Sequence, residues 1–356
     1  MNIDNLKQIK KFDKSEVYKS IETLPDQIRQ VLNDARLIKI PREYSKVNQV
    51  IVNGMGASNI GARIVKAVFS DQIKVPISIT PGYSVPANVN KNTLYIISSY
   101  SGNTEEPLSV YKEVKKRGAK ILGITSQSGN KLEKLMIKEN IPGYIFKPEF
   151  NYSAVPRAGL GYGIFGTAVM LAKAGLFKIK IQETKDIIAS LEIWDRELRP
   201  TEKINFNKAK KLAVTFFDKE PIAVGAEFLL GNLRVIRNQF CESSKNFAGY
   251  LTIPELNHYA MEGLEFPKNN NKNLIFFFID SKLYHPRIQK RIALTKKIVK
   301  RNKIKYIDYK LISKTKLGQT FELLQLATWI TYYLGILNKK NPATNPWVDW
   351  FKKNLS

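Results

Sequence analysis

Two kinds of hydrophobic pattern alternate along this chain. Short apolar runs read as strands: QVIVNG (49–54), KVPISIT (74–80), NTLYIISS (92–99), AKILGITS (119–126) and GYIFKPE (143–149). Between them, apolar residues recur every three to four positions. Helices are therefore predicted from Ser58 onward, over 104–116, over NKLEKLMIKEN and over 159–174. Apolar strands alternating with amphipathic helices predict a parallel sheet covered on both faces.

The first 46 residues show helical spacing, as in FDKSEVYKSIETLPDQIRQVLNDA. Residues 178–205 are charged and less regular and are expected to form a helix or linker between domains. The alternation then resumes. NKAKKLAVTFF, EFLLGNLRVIRNQFCESSK, 285–302 and GQTFELLQLATWITYYLGIL read as helices, while EPIAVGA, NLIFFFID (273–280) and IKYIDYKL read as strands. The expected organisation is a helical segment (1–46), an α/β domain (47–177), a linker (178–205) and a second α/β domain with a C-terminal tail (206–356). Both halves repeat strand, glycine-bearing turn and helix, which raises an internal duplication. The tail NPWVDWFKKNLS carries Trp347, Trp350 and Phe351 and is expected to pack back on the body through them.

With 356 residues, two domains can each bury a core, and 44% apolar residues are ordinary for a globular protein. Cys241 is the single cysteine, so no intrachain disulfide can form, which fits a reducing cytoplasm. The polar N-terminus has no signal-peptide core, and the apolar stretch IFGTAVMLA ends at Lys173, far short of the roughly 20 residues of a membrane span. A soluble cytoplasmic protein with no membrane partner is expected. The formal charge of +26 raises nucleic acid as a partner, but the basic residues are spread along the chain and no nucleic-acid-binding motif is present. The expectation is no nucleic acid.

Two turns at strand ends carry candidate chemistry. Gly54-Met55-Gly56-Ala57-Ser58 follows the first strand, and Ser99-Tyr100-Ser101-Gly102-Asn103-Thr104 follows the third. Glycine lets the backbone approach a ligand, free N–H groups at a helix start favour an anion, and hydroxyls donate without adding charge. Together they predict a phosphate cradle using Gly56, Ala57, Ser58, Ser99, Ser101 and Thr104. A dinucleotide fingerprint and a plain strand-helix turn are the competing readings of the first turn, and the fingerprint lacks its acidic partner because the next strand ends in SITPGY. The competing reading of the second is a plain helix cap, with Thr104 followed by Glu105 and Glu106. No Cys/His metal spacing exists, and neither metal nor cofactor is expected.

SYSGNT after a buried strand resembles the phosphate loop of the sugar isomerase (SIS) domain. Four further segments narrow the resemblance: GMGAS, VPRAGLGYGIFG, CESSKNFAGYLTIPELNHYAMEGLE and NPWVDWFKKNLS. In this order they are similar to the bifunctional phosphoglucose/phosphomannose isomerases, from about residue 12 to the end. Ala57 stands where that family usually has glycine, and Ser243-Ser244 stand where it has Asn-Ala. The resemblance implies an α/β fold of two SIS-type domains, each a parallel sheet flanked by helices, after an N-terminal helical segment. It implies interconversion of glucose 6-phosphate, and of mannose 6-phosphate, with fructose 6-phosphate through a cis-enediol.

It also implies roles for individual residues. Glu242 would move the proton between C1 and C2. His258, in Pro254-Glu255-Leu256-Asn257-His258, would serve ring opening from the neighbouring subunit of a homodimer. Lys352, with Lys353 as the alternative, would assist it. Arg157, in Pro156-Arg157-Ala158, would stabilise enediolate charge. Thr344 is a further candidate contact, and His285, before Pro286, reads as surface. A non-catalytic sugar-phosphate sensor and an amino-sugar phosphate isomerase remain as alternatives.

Overall fold

The structure, a computed structural model, describes residues 1–355. Two short helices open the chain, α1 (Leu6–Phe12) and α2 (Val17–Glu22), followed by α3 (Leu24–Asp34). The first sheet is built from β1 (Gln49–Asn53), β2 (Ile77–Ile79), β3 (Thr93–Ser98), β4 (Lys120–Ser126) and β5 (Gly143–Phe146). Its helices are α4 (Ile60–Val68), α5 (Glu105–Ser109), α6 (Tyr111–Lys116), α7 (Lys131–Lys138) and α8 (Leu160–Lys173). After α9 (Ile181–Leu198) and α10 (Lys208–Phe216) come β6 (Glu220–Ala226), α11 (Leu230–Glu242), β7 (Gly249–Ile253), α12 (Asn270–Asn273) and β8 (Leu274–Asp280). The chain closes with α13 (Pro286–Arg301), β9 (Lys305–Lys310), α14 (Lys316–Leu337) and α15 (Pro346–Leu355).

The chain divides into two compact units, residues 23–190 and residues 1–22 with 191–356. The segment 1–46 is thus shared between them, and the expected linker 178–205 is largely the helix α9. A buried ion pair explains part of this division. Lys210, fully buried on α10, pairs with Asp4 at 2.9 Å and donates to the carbonyls of Pro200 and Glu202. Asp13 accepts from the Val17 and Tyr18 amides, capping α2, and from the Tyr332 hydroxyl of α14 at 2.9 Å.

In the unit 23–190 the five strands are parallel in the order β2-β1-β3-β4-β5. Strands β3 and β4 are buried nearly throughout because helices cover both faces, which is why they read as unbroken apolar runs. One face carries Ile51, Tyr95 and Ile97, packed with Val110, Val114, Leu132 and Met136. Helix α8 is apolar on every side, is buried along most of its length and packs on α3 and α4.

In the other unit the strands are parallel in the order β7-β6-β8-β9, the same sequence of crossovers with one strand fewer. Strand β7 is not among the elements expected from the sequence: it lies at the sheet edge with four of its five residues only half-buried. Helix α14 is the central helix of the unit, with Trp329, Tyr332 and Tyr333 fully buried. Helix α15 corrects the expectation for the tail. None of its residues is buried, and Trp347, Trp350 and Phe351 are 81%, 62% and 57% exposed. An amphipathic pattern requires a partner surface but does not say which, and here the chain itself does not supply it.

Candidate active site

The strand order of the first sheet reverses between β1 and β3, and ligands of open parallel sheets bind at the carboxyl ends of strands flanking such a switch point. Both turns singled out in the sequence leave the sheet there. The turn after β1 runs through Gly56, at φ +49°, into a short 3₁₀ turn, Gly56–Asn59, that also holds Ala57 and Ser58. The turn after β3 holds Gly102 at φ +65°, a conformation in which a Cβ is unfavourable.

The two turns are tied together through Ser58. Its Oγ accepts the backbone N–H of Tyr100 at 2.9 Å, and its carbonyl accepts the Ser98 hydroxyl at 2.6 Å. Within the second turn three hydroxyls converge. Thr104 Oγ1 lies 2.7 Å from Ser99 Oγ and 3.5 Å from Ser101 Oγ. Ser99 is buried, Thr104 half-buried and Ser101 exposed, so the row runs from the sheet to the surface. Thr104 occupies the N-cap position of α5 with extended backbone, yet its side chain makes no capping bond. Its hydroxyl is turned to the serines instead. The helix expected over 104–116 is broken at Val110 into α5 and α6.

Helix α7 buttresses this loop from behind. Asn130 caps α7 by accepting from Glu133 N at 2.9 Å and donates to the Ser126 carbonyl at 2.6 Å. The carbonyl of Gly102 accepts from Leu132 N, and the Asn103 side chain accepts from Lys131 N. A Cβ on residue 102 would lie 1.7 Å from Asn130 Oδ1, so the loop and the helix cap fit only with glycine.

Arg157 is buried in the 3₁₀ turn Pro156–Ala158 that leads into α8. Gln27 of α3 holds this turn, donating to the carbonyls of Ala158 at 2.9 Å and Phe150 at 3.0 Å while accepting from Gly161 N. Tyr100, to which the sequence alone gives no role, is bonded through its N–H, its carbonyl and its hydroxyl. Burial pushes its hydroxyl up to about 12, opposed by the Asn151 amide 2.6 Å away, so the group stays neutral at any physiological pH.

The residues assigned to proton chemistry lie in the other unit, on three different elements. Glu242 is the half-buried last residue of α11. The turn behind it is held by α14: Asn338 donates to the Ser244 carbonyl at 2.9 Å, and Gln239 donates to Thr328 at 2.8 Å. The Lys245 ammonium bonds the Glu242 carbonyl, at the helix end where a cation is favoured. His258 ends the 3₁₀ turn Glu255–His258 that follows β7. Leu256 anchors that turn in the core and Asn257 donates to Thr295 of α13 at 2.8 Å, leaving the His258 ring exposed. Lys352 and Lys353 are both exposed, in the last turn of α15, and Thr344 is exposed in the loop before it. His285 is exposed at the N-cap of α13, its Nδ1 accepting from Arg287 N.

Two parallel sheets with one crossover order, and a hydroxyl-lined turn pair at the switch point of the first, define a protein built from SIS domains. Residues 43–140 match the family described as SIS domain, and residues 205–355 match the bacterial phospho-glucose isomerase C-terminal SIS domain. The chain is 30% identical to a bifunctional phosphoglucose/phosphomannose isomerase of Caldicellulosiruptor bescii, over 96% of this chain and 99% of that one. It is 26% identical to a protein of the same name from Aquifex aeolicus, over 96% of this chain and 98% of that one. Among solved structures, a hypothetical protein of Thermus thermophilus superposes with a TM-score of 0.73 at 15% identity, covering 96% of this chain and 90% of that one. The chain belongs to the bifunctional phosphoglucose/phosphomannose isomerase family.

Proposed function

We propose that this protein is an aldose–ketose isomerase that interconverts glucose 6-phosphate, and mannose 6-phosphate, with fructose 6-phosphate through a cis-enediol. The observation that carries the reading is family membership over nearly the whole chain, in a sequence that contains Glu242 and the segment PELNH. The substrate phosphate is assigned to the turns holding Gly56, Ala57, Ser58, Ser99, Ser101 and Thr104. Their N–H and O–H groups bind a dianion without a buried counter-charge. Glu242 shuttles the proton between C1 and C2, and a half-buried carboxylate suits that task. His258 and Lys352 open the sugar ring, and Arg157 stabilises the enediolate. The chemistry is proton transfer between carbons and oxygens of one sugar.

The active unit is a homodimer in which His258 serves the neighbouring subunit. Two observations support this: the PELNH turn is firmly anchored yet presents its histidine outward, and α15 exposes an apolar face that the chain leaves uncovered. The reading places the enzyme in the cytoplasm. No helix of the described residues is long and apolar enough to cross a membrane.

The test is fructose 6-phosphate formation by the purified protein from each of the two aldose phosphates. Turnover of both is expected. Binding of either substrate with no product formed would favour a sugar-phosphate sensor on the same fold.

A further inference from the structure

We infer that Tyr100 and Asn151 are positioning residues that lock the Arg157 turn to the phosphate loop. The inference rests on the isomerase reading only where it concerns catalysis. Tyr100 is the second residue of SYSGNT and reaches four other segments at the carboxyl edge of the sheet. Its N–H donates to Ser58 Oγ in the turn after β1. Its carbonyl accepts the amide and the hydroxyl of Ser126, at 3.1 and 2.8 Å, at the end of β4. Its side chain packs edge-on against Phe146 of β5, with ring centroids 5.3 Å apart, and its hydroxyl accepts from Asn151 Nδ2 at 2.6 Å.

Asn151 is buried and organises the loop that ends in Arg157. Its Nδ2 also donates to the Val155 carbonyl at 3.0 Å, its Oδ1 accepts from the Ser153 hydroxyl at 3.0 Å, and its carbonyl accepts from Ala154 N. Ala154 sits at φ +54°, a conformation that a non-glycine residue keeps only when its surroundings hold it. On the far side of Arg157, Gly159 lies against the Tyr100 ring. A Cβ there would be 2.6 Å from Cε2 and 2.9 Å from the hydroxyl oxygen. The Arg157 turn is therefore clamped between Tyr100–Asn151 and Gln27. Only the first of these clamps runs to the phosphate loop. The backbone bonds of Tyr100 hold the cradle turns, whereas among the described residues its hydroxyl bonds Asn151, so the two roles separate in the variant Tyr100→Phe.

Misplacing a charge-stabilising group by a fraction of an ångström lowers turnover more than it lowers phosphate affinity. In Tyr100→Phe, kcat is expected to fall about tenfold while KM and competitive inhibition by inorganic phosphate stay within about twofold. Asn151→Ala is expected to behave alike, and the double variant to be no worse than the poorer single one. Independently of activity, hydrogen exchange of amides 152–159 should speed up about tenfold in Tyr100→Phe, with amides 54–59 unchanged. An unchanged kcat overturns the positioning role, and unchanged exchange overturns the lock itself. A proportional loss of phosphate affinity also overturns it, because the hydroxyl would then act on the cradle. An inactive wild type would sink the isomerase reading, and the exchange measurement would still decide the lock.

Discussion

Ser58 Oγ accepts the backbone N–H of Tyr100 at 2.9 Å, joining the turn after β1 to the turn after β3 across the switch point of the sheet. Forty-two residues separate the two partners. The bond fixes the mouth of the cradle, so a hydroxyl assigned to phosphate binding also holds the loop that carries the other hydroxyls.

Replacing Ser58 by alanine leaves that amide without its acceptor, a loss of about 1–2 kcal/mol. Urea denaturation should show a destabilisation of that order, and KM for fructose 6-phosphate should rise several-fold. A KM equal to that of the wild type would mean that Ser58 only props the fold.

Gly102→Ala places a Cβ where φ is +65° and where Asn130 Oδ1 would lie 1.7 Å away. The backbone conformation alone costs about 1 kcal/mol or more, and the Asn130 cap of α7 must yield as well. The expected outcome is a destabilised protein, by thermal melting, with phosphate affinity reduced at least tenfold by competitive inhibition.

Glu22 gives the protein a pH dependence whose sign is fixed. Burial pushes its carboxyl up to about 7, helped by the charge of Asp195 and opposed by Arg199 and Lys19. A folded value above the unfolded one favours the native state fully below the unfolded pKa, and that contribution is lost as pH rises through the folded value. Stability should therefore decline between about pH 5 and pH 8, by on the order of 1–2 kcal/mol after allowance for solvent screening of this partly exposed group. Glu22→Gln should flatten that decline. Parallel urea-stability curves for variant and wild type across this range would contradict the account.

Trp347, Phe351 and Leu355 recur at four-residue intervals on α15, with Trp350 beside them, and all are more than half exposed. If this face is covered by a second copy of the chain, Trp347→Ser/Trp350→Ser should shift the mass measured by light scattering from two chains to one. A wild type that is already monomeric would remove the dimer from the proposal.

The central strands were legible because burial on both faces turns them into unbroken apolar runs, as in TLYIIS of β3. The convergence of Ser99, Ser101 and Thr104 was legible because they are neighbours in sequence and lie within one turn. The half-buried edge strand β7 lacks such a run, and its sequence GYLTI gives no clear alternation. The break at Val110 leaves no mark in the apolar spacing. What lay furthest from view was non-local. Asp4 meets Lys210, Asp13 meets Tyr332, and Tyr100 meets Asn151 fifty-one residues on. No local pattern announces such pairs, and the first two, with Ile3, Ile9, Val17 and Ile21 in the core, hold the N-terminus to its unit. The exposure of α15 was hidden for a related reason, since an apolar stripe demands burial without naming its partner.

The central claim is that Glu242 carries the proton between C1 and C2, and isomerisation in deuterium oxide tests it most directly. Glucose 6-phosphate is converted, and deuterium entering C1 of fructose 6-phosphate is followed by proton NMR for the wild type and for Glu242→Gln. The account predicts rapid incorporation by the wild type and a rate lower by about 10²-fold or more in the variant, with phosphate inhibition preserved. Incorporation at the wild-type rate in Glu242→Gln would contradict it.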